Sequence, residues 1–285
     1  MIRQNVLSFW IVGARLAASP IAADEPAQRV VSLGGSVTEI AVALGAEGRL
    51  IARDSTSSHP GSIMSLPDVG YLRALSPEGV LALGPDLIIA EADAGPVEAV
   101  DVLRAAGVAF VTMPDDPTPE GIKAKILAVS GALDLPGEGA ALAARVEADL
   151  AAQAALAAEV TTPKRVLFIL SAQGGRIMAG GDGSSAEGII RLAGGINAAT
   201  GFDGYKQMTD EAVLTAAPDI ILMMDRDGDH AALDAELFAL PSLAGSSAAA
   251  SGKVIRMDGL LLLGFGPRTA EAARELHDAL YGLKG

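Results

Sequence analysis

Short aliphatic runs alternate along this chain with longer stretches in which apolar residues recur every three or four positions. In the first half Arg29–Leu33, Leu50–Arg53, Leu87–Ala90 and Val108–Met113 read as strands. In the second half Arg165–Leu170, Ile220–Met224 and Val254–Met257 do the same. Helical patterns lie between them: from Ser36 to about Leu44, from Glu78, and over 96–106, 117–133, 184–192 and 269–280. Ile177–Ala179 reads as a short return strand, and 241–252 as loop with a short helix. Strands alternating with helices predict parallel βαβ units. From about Ala140 to Val160 no Gly or Pro interrupts an Ala-, Leu- and Glu-rich stretch. A helix of about 20 residues spans roughly 30 Å, enough for a strut between two lobes or a packed helix of the second. The predicted class is α/β: two lobes with mostly parallel sheets joined by a single long interdomain helix. The N-terminal lobe is placed at 24–135, the connecting helix at 136–162 and the C-terminal lobe at 163–285.

One pattern occurs twice. Glu78-Gly79-Val80-Leu81 leads to Pro85-Asp86 and an aliphatic strand; Glu211-Ala212-Val213-Leu214 leads to Pro218-Asp219 and another. Glu78 matches Glu211, Pro85 matches Pro218 and Asp86 matches Asp219 at the same offset. Two copies of one αβ unit this far apart predict two similar lobes, each with its own sheet.

With 285 residues and 50% hydrophobic content, the chain can fill two cores. Its net charge of -14 argues against a nucleic acid or an anionic membrane as direct partner. There is no cysteine, hence no disulfide, thiolate metal site or cysteine nucleophile. Positive Arg3, an apolar run at 6–14 and small residues at Ile21-Ala22-Ala23 predict a signal peptide over 1–23. Its removal takes Arg3 and Arg15 away and leaves 19 basic against 35 acidic residues, or -16.

Gly34-Gly35 turns into a helix at Ser36-Val37-Thr38-Glu39, a capping-box pattern that recurs at Ser184–Glu187. Such a turn exposes amides to an anion, or is a tight βα turn only. Gly70-Tyr71-Leu72-Arg73 sets a phenol two residues from a guanidinium beside a flexible glycine. Tyr205 and Lys206 are predicted in a loop ahead of the second repeat. His230, in an acidic stretch, and His277, in the last helix, read as solvated surface; His59 is in a loop upstream of Tyr71. Arg176, Met178 and Phe265 are weaker pocket candidates, with a structural role the better reading of each. No G-x-S-x-G elbow, P-loop, H-E-x-x-H or Cys/His cluster supports an α/β hydrolase, the remote alternative.

Ser32–Glu39, Gly70–Arg73, Met178–Gly180, Leu192–Asn197, Gly204–Lys206 and Leu263–Arg268, with both repeats, resemble the periplasmic substrate-binding proteins of bacterial ABC importers, and more closely their haem-binding members. The resemblance covers nearly all of the mature chain. It implies two α/β lobes joined by one long helix, little hinge motion, and haem carried as transported ligand in the cleft. It makes Tyr71 the iron ligand, with Arg73 supporting the phenolate. Tyr205 then stacks on the macrocycle or bonds a propionate, and Lys206 pairs with one. Glu78 and Glu211 would dock on an ABC permease dimer with its ATPase. It further implies a monomer in the periplasm that meets the membrane only through the permease. Some members carry a histidine after the strand matching 166–170; here Ser171-Ala172-Gln173-Gly174 stands in its place. Within the class, cobalamin or a ferric siderophore is the alternative ligand; a haem carrier without a transporter is another.

Overall fold

The computed structural model describes residues 26–225 and 230–282; the predicted signal peptide and the side chain of His230 lie outside the description. β1 (Val30–Leu33), β2 (Leu50–Arg53), β3 (Leu87–Ala90) and β4 (Ala109–Thr112) form one sheet in the order β2-β1-β3-β4. All of its pairings are parallel. Its crossovers carry α1 (Gly35–Ala43), α2 (Pro77–Leu81) and α3 (Val97–Ala105). Then come α4 (Pro119–Ala132) and α5 (Pro136–Ala158).

The second sheet contains β5 (Arg165–Ser171), β6 (Met178–Gly180), β7 (Ile196–Asn197), β8 (Tyr205–Gln207), β9 (Ile220–Met224) and β10 (Val254–Met257). Its order is β10-β9-β5-β6-β8, with β7 also on β5. β10, β9, β5 and β7 pair in parallel, whereas β6 and β8 add an antiparallel edge. Its helices are α6 (Ser185–Leu192), α7 (Asp210–Ala216), α8 (His230–Phe238), α9 (Ser247–Ser251), α10 (Gly259–Leu263) and α11 (Thr269–Tyr281). Tyr205 and Lys206 therefore lie in a strand, not in the expected loop.

The repeated Pro-Asp has a structural reason. Asp86 accepts from the Gln28 and Arg29 amides at 2.8 and 3.0 Å, and Asp219 accepts from the Arg165 amide at 2.9 Å. The Arg29 side chain returns to the carbonyls of Leu83 and Gly84, and that of Arg165 to the carbonyl of Ala216. In each lobe, then, an aspartate before one strand pins the start of its neighbour, and an arginine there caps the end of the repeat helix. These contacts satisfy strand-end and helix-end groups that would otherwise lack partners.

α5 begins at Pro136, where a missing N–H costs nothing, and runs 23 residues. It packs on α4 of the first lobe and on α6 and α11 of the second. Through Leu142, Val146 and Leu150 it joins Ile40 and Ile126 on one side to Phe168, Ile189 and Leu276 on the other in a single apolar core. Separate clusters cover the outer faces of the two sheets.

Beneath the cleft a second set of contacts ties the lobes together. Arg268 donates through Nε to Glu39 at 3.2 and 3.3 Å and forms a short ion pair through Nη2. Lys125, 1% exposed, reaches Ser36 Oγ at 3.2 Å and the Gly264 carbonyl at 3.5 Å. Phe265 is buried with a left-handed backbone (φ 48°), and a Cβ on Gly188 would meet its ring at 2.7 Å. Gly264–Arg268 is thus a clasp beneath the cleft, in keeping with the structural reading of Phe265.

Two further local expectations, at the Ser36–Glu39 box and at His277, are overturned, and the glycine turn takes the second of its two readings, a tight βα turn. The Ser36–Glu39 capping box does not form: α1 starts at Gly35 with no side-chain cap, because Ser36 bonds Glu91 and Glu39 is committed to Arg268. The glycine turn offers no open amides at two key positions, since Asp54 takes the Gly34 N–H at 2.9 Å and Glu91 the Ser36 N–H at 3.2 Å. His277 is buried rather than solvated; its Nδ1 lies 3.0 Å from the Ala193 carbonyl and its ring leans on Tyr281. At Ser184 the expected cap does form, its hydroxyl accepting from the Glu187 amide at 3.2 Å.

Candidate functional site

At the carboxyl end of β1 the first lobe meets the second, where a Cβ on Gly35 would run into Leu260, and Glu91, just after β3, takes the Ser36 amide; α/β sheets commonly take ligands at such strand ends. On the first lobe the rim is the Tyr71 loop. Leu72 and Leu75 anchor it in the core, and Gly95 clamps it by hydrogen bonds of 2.8 Å to the Leu72 carbonyl and 2.9 Å from the Leu75 amide. Gly70, at φ 90°, makes the turn that a side chain would strain. With alternate residues anchored, Tyr71 and Arg73 face outward, the tyrosine 44% exposed.

Arg73 donates short hydrogen bonds to Tyr71 Oη through Nη1 and to Asp93 through Nη2. Its guanidinium carbon stands 5.5 Å from the Tyr71 ring centre. Partial burial works against the Arg73 charge, but the bonds to Tyr71 and Asp93 outweigh it and raise its pKa. The result is a permanent cation, aimed by Asp93 at the phenol oxygen.

Facing this loop, Tyr205 lies across the second lobe's edge strands, its ring 6.2 Å from Phe168 in an edge contact. The neighbouring Ala186 amide and Ser185 hydroxyl act to lower its pKa. Burial nevertheless pushes its pKa up, while the Arg73 and Asp115 charges act on it in opposite senses. Charges of the first lobe thus reach a phenol of the second. The two tyrosines differ in kind. Tyr71 has a cation at its oxygen, whereas Tyr205 stays a neutral phenol whose O–H is left to donate.

The floor holds three residues that the sequence reading missed. Ser36 Oγ donates to Glu91 at 2.6 Å, and Lys125 pairs with Asp115 at 3.5 Å. Burial pushes Glu91 above the usual carboxylate range, and Lys125 and Ser36 pull it part of the way back. The available signal was Lys125 on the stripe of Ile122, Ile126 and Val129, where a charge is costly without partners.

A model of the family described as periplasmic binding protein matches residues 30–260. The chain belongs to the periplasmic binding protein family. This binding protein resembles the periplasmic heme-binding protein BhuT, solved with two hemes, at 40% identity and TM-score 0.82 over 88% of this chain and 97% of that one. It is similar to the periplasmic heme-binding protein RhuT from Roseiflexus sp. RS-1, in apo form, at 38% identity and TM-score 0.85 over 90% and 98%. Among curated proteins it is 30% identical over 223 residues to the vitamin B12-binding protein of Vibrio parahaemolyticus serotype O3:K6 (strain RIMD 2210633), covering 76% of this chain and 80% of that one.

The other singled-out residues of this binding protein lie elsewhere. Lys206 alternates with Tyr205 along β8 and so projects to the opposite face of the sheet. There it lines a cavity of about 570 Å³ with Arg165, Thr209 and Glu211. The structure therefore does not bring Lys206 to Tyr205. Glu78 and Glu211 are exposed in the first turns of α2 and α7, the corresponding helices of the two lobes. His59 and Arg176 are exposed. Met178, read as structural, is 38% exposed at the cleft end of β6. Among the described residues no group of three His, Cys, Asp or Glu side chains could hold a metal ion, and no helix is long and apolar enough to cross a membrane.

Proposed function

We propose that this periplasmic binding protein takes ferric haem into the interlobe cleft and delivers it to an ABC importer from the periplasm. One observation carries the reading: the Tyr71 phenol is half-exposed at the cleft rim with the Arg73 guanidinium bonded to its oxygen. Phenolate is a haem-iron ligand in catalases, and Arg73 holds a cation against the Tyr71 oxygen. Tyr205 would close the other wall, its ring against the macrocycle and its O–H available to an acceptor. The heme-binding neighbours of 38–40% identity support the same ligand class. The B12-binding relative favours a second reading, cobalamin. A preassembled cobalt chelate, however, has no use for a tyrosine oxygen with its own cation.

The test is an absorption titration of the purified protein with hemin and, separately, with cobalamin. Saturable one-to-one spectral change with hemin and none with cobalamin is expected; the reverse would move the protein to the cobalamin reading.

For delivery, Glu78 and Glu211 supply one exposed carboxylate per lobe at matched places, suiting a two-subunit permease with basic side chains. First-turn acids also complement the helix dipole by roughly 0.3–1 kcal/mol, so the test must separate docking from stability. Reversing both charges (Glu78→Lys with Glu211→Lys) is expected to reduce uptake at least about tenfold, about 1.4 kcal/mol of docking energy. Hemin affinity should stay within twofold. Uptake at the wild-type rate in reconstituted vesicles would place docking elsewhere.

A further inference from the structure

The cleft wall of the second lobe carries an unassigned sulfur. β6 and β8 pair antiparallel, with Gly180 opposite Tyr205, Ala179 opposite Lys206 and Met178 opposite Gln207. Directly opposed residues of such a pair project from the same face, and successive residues alternate. Met178 and Tyr205 therefore share one face, on the diagonal, with alpha carbons roughly 7–8 Å apart. Ala179, between them in register, is fully buried on the other face. A Cβ on Gly180 would lie 3.1 Å from the Tyr205 ring, which fixes the ring over this face. Met178 also pairs with Ser171, the last residue of β5, and so sits level with the carboxyl end of the sheet, on the cleft rim.

At that rim Met178 is 38% exposed, although methionine is an apolar side chain that folding ordinarily covers. Its neighbour Tyr205 answers to the charge of Arg73, which is itself bonded to Tyr71. A flat ligand held by Tyr71 on one face meets this wall on the other. The chain contains no cysteine, and His277 is buried with its Nδ1 on the Ala193 carbonyl. Thioether sulfur is a polarizable group that packs on aromatic faces and, in cytochromes c, binds haem iron.

We propose that Met178 faces the iron from the second lobe and closes the coordination position opposite Tyr71. The inference rests on the haem reading and names the residue that covers the ligand's second face. Small axial ligands then reach the iron only by displacing this side chain. Gln207, its cross-strand partner, lies on the same face and adds a polar group beside it.

Two substitutions test the position, both at an exposed site where the fold should tolerate them. In the hemin-loaded protein, Met178→Ala is expected to raise the affinity for added imidazole at least about tenfold. Met178→His places an imidazole at the same point, and its ferric complex is expected to become six-coordinate and low-spin by electron paramagnetic resonance without any addition. Unchanged imidazole affinity in Met178→Ala together with an unchanged spin state in Met178→His would overturn the assignment. Circular dichroism and hemin titration of each variant verify that both fold and load. If the wild-type protein binds no hemin, the haem reading fails and this inference falls with it. If hemin binds and neither variant differs from wild type, only this inference fails.

Discussion

Tyr71→Phe is expected to weaken hemin binding at least about a hundredfold, roughly 2.7 kcal/mol, and to abolish the phenolate-to-iron charge-transfer absorption of the ferric complex. The substitution removes a single oxygen. The ring, its half-exposed place at the rim and the anchors at Leu72 and Leu75 remain, so stability should hardly move. Arg73 would lose one partner yet keep Asp93, and the loop would keep its bonds to Gly95. The loss is therefore confined to the ligand. Tyr205→Phe should cost much less, because burial raises the pKa of that phenol and keeps it in its neutral form. Hemin titrations of the two variants side by side check the asymmetry; equal losses would mean that the iron does not distinguish the tyrosines.

Arg268→Met is expected to lower the melting temperature by roughly 6–12 °C. Glu39 is 7% exposed and takes its charge partner from the opposite lobe. Removing the guanidinium leaves a buried carboxylate uncompensated, at a cost of about 3 kcal/mol or more. In a protein of this size each kcal/mol shifts the melting point by roughly 2–4 °C. Adding Glu39→Gln should recover most of the loss, since the stranded charge is then gone. Calorimetry of the single and double variants reads this directly. A single variant that melts like the wild type would show that the clasp contributes nothing to holding the lobes together.

Much of the architecture was legible because the hydrophobic pattern and the repeat agree. The Pro-Asp signature marks a place where one strand start is pinned by the next, and that need arises once per sheet, at Arg29 and at Arg165. The Tyr71–Arg73 spacing was legible too, since both lie on one short loop. Long-range partners were not. Ser36 and Glu39 carry a local capping pattern, but tertiary contacts with Glu91 and Arg268 outcompete it. Lys206 was grouped with Tyr205 as a loop neighbour; in a strand, adjacency means opposite faces. His277 looked solvated in a polar helix, yet it lies on that helix's buried stripe with Ala273, Leu276 and Leu280. Glu91 and Asp115 belong to the floor only because β3 and β4 end side by side, which no local signal states.

Haem capture as proposed depends on an iron bond to the Tyr71 oxygen within the cleft. Resonance Raman spectroscopy of the hemin-loaded protein, excited in the charge-transfer band, reads that bond most directly. Phenolate ring and iron–oxygen modes are predicted in the wild-type spectrum and their loss in Tyr71→Phe. A wild-type spectrum without them, or a variant that retains them, would contradict it.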